Sequence, residues 1–301
     1  PILTHIFGLQ GLFWGIALLA FGGIMITLIT VPNSEHHILN RESSFVRGSV
    51  KKVLFDAQLL KLNVGIFSLH TLLMAAFVAL PLIMHNAGLV NEKHWVVYLV
   101  TMLIAFISVL PFIIYAEKKR KMKQVFLLCI FLLIIAQAIF MISGTSLWLI
   151  ILGIQIFFIG FNIMEALLPS LISKEAPAGY KGTAMGIYST SQFLGVALGG
   201  ILGGWLYQHY DAQAVFAGCL LIGLVWFAIS LTLRQPPYVS SLRIELPAHL
   251  SNAQQQQLEQ KFKQQPGVNE VVIMAHEQSA YIKVDTKQTP RATLESLVLG
   301  V

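Results

Sequence analysis

The sequence predicts an all-α membrane helix bundle followed by a small α+β ferredoxin-like domain, and three observations carry that reading. Only 11% of the 301 residues are charged and 56% are hydrophobic, against about a quarter charged in soluble domains, and the mean hydropathy is +0.72. The apolar residues come in continuous runs, which suit helices; strands of an outer-membrane barrel would alternate apolar and polar residues. After Leu233 the composition turns abruptly polar, which marks a separate module.

Seven runs reach the roughly 20 residues that a crossing needs: about 8–31, 59–85, 95–116, 124–143, 147–172, 182–207 and 213–233. The first connection carries Arg41, Arg47, Lys51 and Lys52, the second only Lys93, and the third Lys118, Lys119, Arg120, Lys121 and Lys123. The fourth carries no Lys or Arg, the fifth Lys174 and Lys181, the sixth none, and Arg234 follows the last run. Every second connection is basic, so those connections face the cytoplasm and Pro1 lies on the opposite side. The alternation supports the span count, because one missed helix would break it. It also assigns the net charge of +6 to topology and a lipid bilayer rather than to nucleic acid.

An odd number of spans beginning outside makes sense if 1–31 is the last helix of a preceding half-bundle. Then 32–58 is a cytoplasmic inter-half loop and 59–234 a six-helix half-bundle. The start at Pro1, without methionine or signal peptide, agrees with a chain that continues from a longer one. Within the loop, 44–57 interleaves Phe45, Val46, Val50, Val53 and Leu54 with Arg47, Lys51 and Lys52. That suits either a helix lying on the anionic inner leaflet or a solvated linker.

Polar residues inside the runs are the candidate site. Gln155, Asn162 and Glu165 have offsets of seven and three, so a helix puts them on one face, where lipid cannot satisfy them. The two amides either line a polar interior or cross-link helices. Glu165, about seven residues from the cytoplasmic end of its run, is costly unless paired or protonated. It is either a proton carrier or the partner of Lys174 or Lys181. His70 sits near the middle of the second run and shares a face with Asn63; its alternatives are a functional imidazole and a neutral one bonded to a neighbouring helix. Tyr188 and Gln192 of the sixth run complete the candidate pathway, and Gln137 reads as structural. Glycines at 195, 199 and 203, with a parallel pair at 200 and 204, remove side-chain bulk and let another helix approach closely. Cys129 and Cys219 lie in apolar runs without companion ligands, so neither a disulfide nor a thiolate metal site is expected.

The terminal module alternates apolar and polar residues over 241–246, the pattern of a half-buried strand. Ser251 with Gln254 is a capping-box start to a helix reaching about Gln264, which Pro266 and Gly267 stop. Strands follow at 268–275 and 280–285, joined by a polar turn at 276–279. Thr289 and Pro290 give an N-cap and a first helical position for a second helix to about Leu297, with 298–301 as a short last strand. The order over 240–301 is that of a ferredoxin-like unit.

The segment 174–205, with Gly182 and Gly186 in a GTAMG stretch and then the glycine-rich 195–204, resembles the tenth-to-eleventh helix region of major facilitator superfamily transporters. The turn Glu117-Lys-Lys-Arg-Lys resembles that family's cytoplasmic motif in its second half, without the leading glycine. This resemblance implies gating or packing roles for Glu117, Lys118 and Arg120, and for Gly195, Gly199 and Gly203. The glycine-rich helix is similar to that of drug/proton antiporters, without its proline. Together with the terminal module, the chain resembles bacterial inner-membrane members that carry a cytoplasmic YAM domain, which implies that helices one to five precede it. The module also resembles heavy-metal-associated domains, but without their Cys pair. Its corresponding loop offers only His249, so a protein contact or regulatory role fits better than metal delivery, with a solvated appendage as the alternative.

The function these observations support is a secondary active transporter of a small molecule, coupled to protons, working by alternating access around a midplane cavity. The alternative is a membrane-anchored sensor whose terminal module binds a ligand. The intramembrane acid and histidine and the short outer turns favour transport. No catalytic spacing argues for an enzyme, and no cofactor or metal is expected.

Overall fold

The computed structural model describes residues 2–31, 48, 50–247, 250–274 and 277–298, with side chains from residue 7 onward. The chain divides into two units, 1–39 and 40–301. In the first, α1 (Ile2–Thr30) leaves helical geometry at Gly8, whose φ of 67° lies in the region that only glycine adopts without cost. From Phe7 to Thr30 it is long and apolar enough to cross a bilayer.

In the second unit a short helix, α2 (Val50–Leu54), buries Val53 and exposes Lys51 and Lys52. The expected amphipathic helix over 44–57 ends at Leu54, three residues early. Asp56 turns to extended backbone and caps the next helix, accepting from the N–H groups of Gln58 and Leu59 at 2.9 Å each. Residues 44–47, including Phe45, Val46 and Arg47, lie outside the described residues, as does Arg41.

Six long helices follow: α3 (Ala57–Asn86), α4 (His94–Lys118), α5 (Met122–Ile142), α6 (Leu147–Glu175), α7 (Lys181–His209) and α8 (Ala212–Leu231). With α1 they make seven membrane-length apolar helices among the described residues, matching the seven runs to within a few residues. The turns between them are short. Asp211 caps α8 by accepting from Ala214 N–H at 2.8 Å. Lys61 and Lys123 donate to the carbonyls of Thr232 and Leu231 at the other end of that helix, where the backbone leaves acceptors unpaired and the dipole favours a cation.

Packing centres on α3, which lies most extensively against α7, while α5 packs on α6 and α8, and α4 on α6. The α3/α7 seam is explained by the glycines. A methyl group at Gly195 would sit 2.3 Å from Phe67 O, at Gly199 2.6 Å from Thr71 O, and at Gly203 2.7 Å from Ala75 Cα. Both helices thus present every fourth residue to a backbone-to-backbone contact. Thr71 Oγ1 donates to Phe67 O and reaches Gly195 O at 3.3 Å across the seam. Gly200 and Gly204, expected to act as a parallel pair, would have nothing within 4 Å of an added methyl. They lie on the other side of α7, because one residue turns a helix by about 100°.

After α8 the chain runs through Tyr238 into β1 (Ser240–Glu245), α9 (Asn252–Lys263), β2 (Val268–Met274), β3 (Ser279–Val284) and α10 (Arg291–Val298). The sheet has the order β1-β3-β2, all antiparallel, with Leu242 opposite Ile282 and Ile282 opposite Val271. Ile244, Leu258, Phe262, Ile282 and Leu294 form its core. The capping box at Ser251 and Gln254 is present. The second helix begins at Arg291, after Pro290, and Thr289 Oγ1 donates to Pro266 O at 2.7 Å. His249, His276 and the last-strand residues 299–301 lie outside the described residues.

Candidate functional site

Three helices bring one polar cluster together. α3 supplies His70, α6 Glu165 and α7 Gln192. At 1.5 Å per residue these lie about 2, 6 and 5 Å from the midpoints of their helices. His70 Nε2 is 2.9 Å from Gln192 Nε2 and 3.5 Å from Glu165 Oε1, and His70 Nδ1 is 3.3 Å from Ile66 O. The imidazole is buried, whereas the Glu165 side chain keeps 34% of its surface, although its Oε1 is itself buried. Glu165 Oε1 forms no hydrogen bond among the described residues. The Phe161 ring, one turn before Glu165, meets the imidazole edge-on at 5.7 Å.

Helix α6 runs on to Glu175, so Glu165 lies ten residues, about 15 Å, from its C-terminal end rather than seven. That depth removes Lys174 and Lys181 as partners. Lys174 instead reaches both carboxylate oxygens of Glu117, at 2.8 and 2.9 Å. Asn63 is buried two turns from His70 on α3, and its Oδ1 has no partner among the described residues. Tyr188 is buried on α7, one turn before Gln192.

Gln155 and Asn162 do not join this cluster. Gln155 Nε2 donates to Thr101 O at 3.3 Å, and Asn162 Nδ2 points to Met102 Sδ at 3.7 Å, both on α4. The single face expected for Gln155, Asn162 and Glu165 is therefore split. An offset of seven keeps the two amides together, but an offset of three turns Glu165 by about 60°, enough to face α3 while they face α4. Gln137 is fully buried on α5.

A second polar assembly lies at the basic ends of the helices, and sequence reading found only part of it. Arg120, at φ 55° in the α4–α5 turn, donates from Nη2 to Asp285 Oδ2 at 2.6 Å. The Tyr238 ring lies between the Arg120 guanidinium, 5.3 Å away, and Lys174 Nζ, 5.2 Å away. Its hydroxyl accepts from Met122 N–H at 3.1 Å. Lys283 Nζ donates to Lys174 O, and Ala178 N–H donates to Glu270 at 2.9 Å. The guanidinium beside Asp285 holds that carboxyl below its ordinary 3.8, against a smaller opposing effect of burial. Burial raises the Tyr238 phenol above its ordinary 10. Lys118 closes α4 on an exposed position.

The Major Facilitator Superfamily model matches residues 1–200 and 181–266, and the YajR YAM domain model matches 242–300. The chain is 55% identical over 298 residues, 99% of its length, to the inner membrane transport protein YajR of Escherichia coli K12. It is 36% identical over 202 residues to an uncharacterised transporter of Buchnera aphidicola from Acyrthosiphon pisum, covering 66% of this chain and 51% of that one. A further uncharacterised transporter, from the Buchnera strain of Baizongia pistaciae, is 31% identical over 236 residues, 77% of this chain and 59% of the relative. The chain spans 65% of the length of the Escherichia coli relative and 51 to 59% of the Buchnera ones. The two family models between them reach nearly every residue. On that evidence the chain belongs to the major facilitator superfamily and carries a YAM domain at its C-terminal end.

Proposed function

We propose that this chain works as part of a secondary active transporter of the bacterial inner membrane, exporting a small molecule in exchange for protons by alternating access, and not as an enzyme. In this reading α3–α8 form one half-bundle and the C-terminal domain lies in the cytoplasm. The observation that carries it is the convergence of His70, Glu165 and Gln192 near the middle of their helices, the imidazole 2.9 Å from the amide and 3.5 Å from the carboxylate.

The chemistry follows from donors and acceptors. A neutral imidazole protonated at Nδ1 can donate to Ile66 O and accept the Gln192 amide at Nε2, which satisfies both nitrogens. A proton arriving at Nε2 sets two donors against each other, so the Gln192 amide must turn to present its oxygen or yield to the Glu165 carboxylate 3.5 Å away. The proton can rest on either group, and the cluster's preferred contacts differ between the two. That difference is what a coupling site needs, because a proton shifts a conformational equilibrium only through unequal interaction with its two states. Glu165 is the more exposed of the two titratable groups, and in this reading it is the one that exchanges protons with water. Asn63 and Tyr188 extend the polar lining along α3 and α7. Gln155 and Asn162 tie α6 to α4 and set the wall on that side.

The test is uptake and efflux by the full-length protein in vesicles, over a compound panel, with and without an imposed pH gradient. Glu165→Gln is expected to abolish gradient-driven movement while leaving the folded protein and substrate exchange at equal pH intact. Unchanged gradient-driven transport in that variant removes Glu165 from coupling. No compound moving above empty vesicles refutes the transporter reading.

A further inference from the structure

Two cytoplasmic-end turns of the bundle, distant in sequence, are both gripped by the same face of the C-terminal domain. The α4–α5 turn gives Arg120 to Asp285. The α6–α7 turn gives the Lys174 carbonyl to Lys283 and the Ala178 N–H to Glu270. Tyr238, in the connection to the domain, fills the space between the turns and is flanked by a cation from each. Gln235 adds a hydrogen bond to Arg120 O at 2.9 Å, and Lys174 ties back to Glu117 across the same gap. A polar cavity of about 150 Å³ remains among these groups, so water has access to the seam.

We propose that the YAM domain is a releasable clamp that holds the α4–α5 turn against the α6–α7 turn. The contacts suit release. The named contacts are polar or ionic, and although Lys283 and Asp285 are buried, the Arg120 side chain keeps 45% of its surface, so salt and water reach that pair. A permanent interface of this kind would bury an apolar patch. The domain's own apolar core is instead separate from the bundle's, which lets it come off without unfolding. Arg120 takes a left-handed backbone conformation in the C-terminal cap of α4, where Lys121 N–H donates to Ala116 O at 2.9 Å, so the bundle itself fixes the residue that Asp285 grips. The clamp stands apart from the proton cluster at mid-depth and does not depend on the transport reading.

The experiment is hydrogen exchange of the full-length protein in lipid nanodiscs, read at the amides of 116–124 and 174–181, together with limited proteolysis of the 234–239 connection. Arg120→Asp and Asp285→Arg, each alone, are expected to speed exchange at both turns about fivefold or more and to expose the connection to cleavage. The two together, with the charges exchanged, are expected to restore protection. Unchanged amide protection of β1 and β3 shows that the domain has stayed folded. The proposal is overturned if either single variant exposes the connection yet leaves exchange at the α6–α7 turn unchanged. It is also overturned if neither variant alters either readout, or if the exchanged pair protects no better than the single variants.

Discussion

Replacing Gly195 with alanine tests the α3/α7 seam, because the cost can be worked from the backbone. The new methyl carbon would lie 2.3 Å from Phe67 O, where an ordinary contact needs about 3.5 Å. The helices must therefore part by about 1 Å at this level. Gln192 lies three residues away on the same helix, so its 2.9 Å contact with His70 is carried beyond hydrogen-bonding distance unless the side chains readjust. Overpacking of this size costs about 1–3 kcal/mol. The effect should weaken in the order Gly195, Gly199, Gly203, as the clash distances rise from 2.3 to 2.6 and 2.7 Å. Gly200→Ala and Gly204→Ala provide the control: nothing lies within 4 Å of either new methyl, and alanine's helix propensity favours the change by about 1 kcal/mol. Thermal unfolding of the full-length protein in nanodiscs reads the series. Equal shifts for Gly195→Ala and Gly200→Ala would refute the seam as the reason for these glycines.

Two further outcomes are expected. Because Arg120 depresses the Asp285 carboxyl, docking gains from that pair at any pH above the ordinary 3.8 and loses the gain only as pH falls through the depressed value. Pepsin cleavage of the 234–239 connection should therefore begin only in strong acid, and Asp285→Asn should remove that onset. Ser251→Ala breaks the capping box of α9 and should lower the domain's stability to denaturant by about 1 kcal/mol, with Ser251→Asp recovering most of it.

The bundle is legible in the sequence because lipid leaves a helix one way to satisfy its backbone, so long apolar runs and alternating basic turns define spans directly. The capping box at Ser251 is equally plain, since its donors and acceptors lie three residues apart. His70 and Glu165 stand out as costly intramembrane groups, but nothing in the sequence makes them neighbours. Their meeting depends on how α3 and α6 are rotated, which packing decides. The same rotation sends Gln155 and Asn162 to α4. Arg120 with Asp285 is out of reach for a further reason: the partners are 165 residues apart and meet only once two independently cored units dock. Lys174 illustrates the limit from the other side. Its place near the end of the fifth run makes it a natural partner for Glu165, and the extra length of α6 gives it to Glu117 instead.

The backbone contact at Gly195, Gly199 and Gly203 leaves no slack between α3 and α7. Those two helices behave as one jaw, so the imidazole and the amide it touches travel together through any rearrangement. The carboxyl opposite them sits on α6, which is only lightly fastened to α7. Whatever motion accompanies loading of a proton should therefore open or shut the gap on the acid's side and leave the backbone spacing of α3 and α7 at His70 and Gln192 constant.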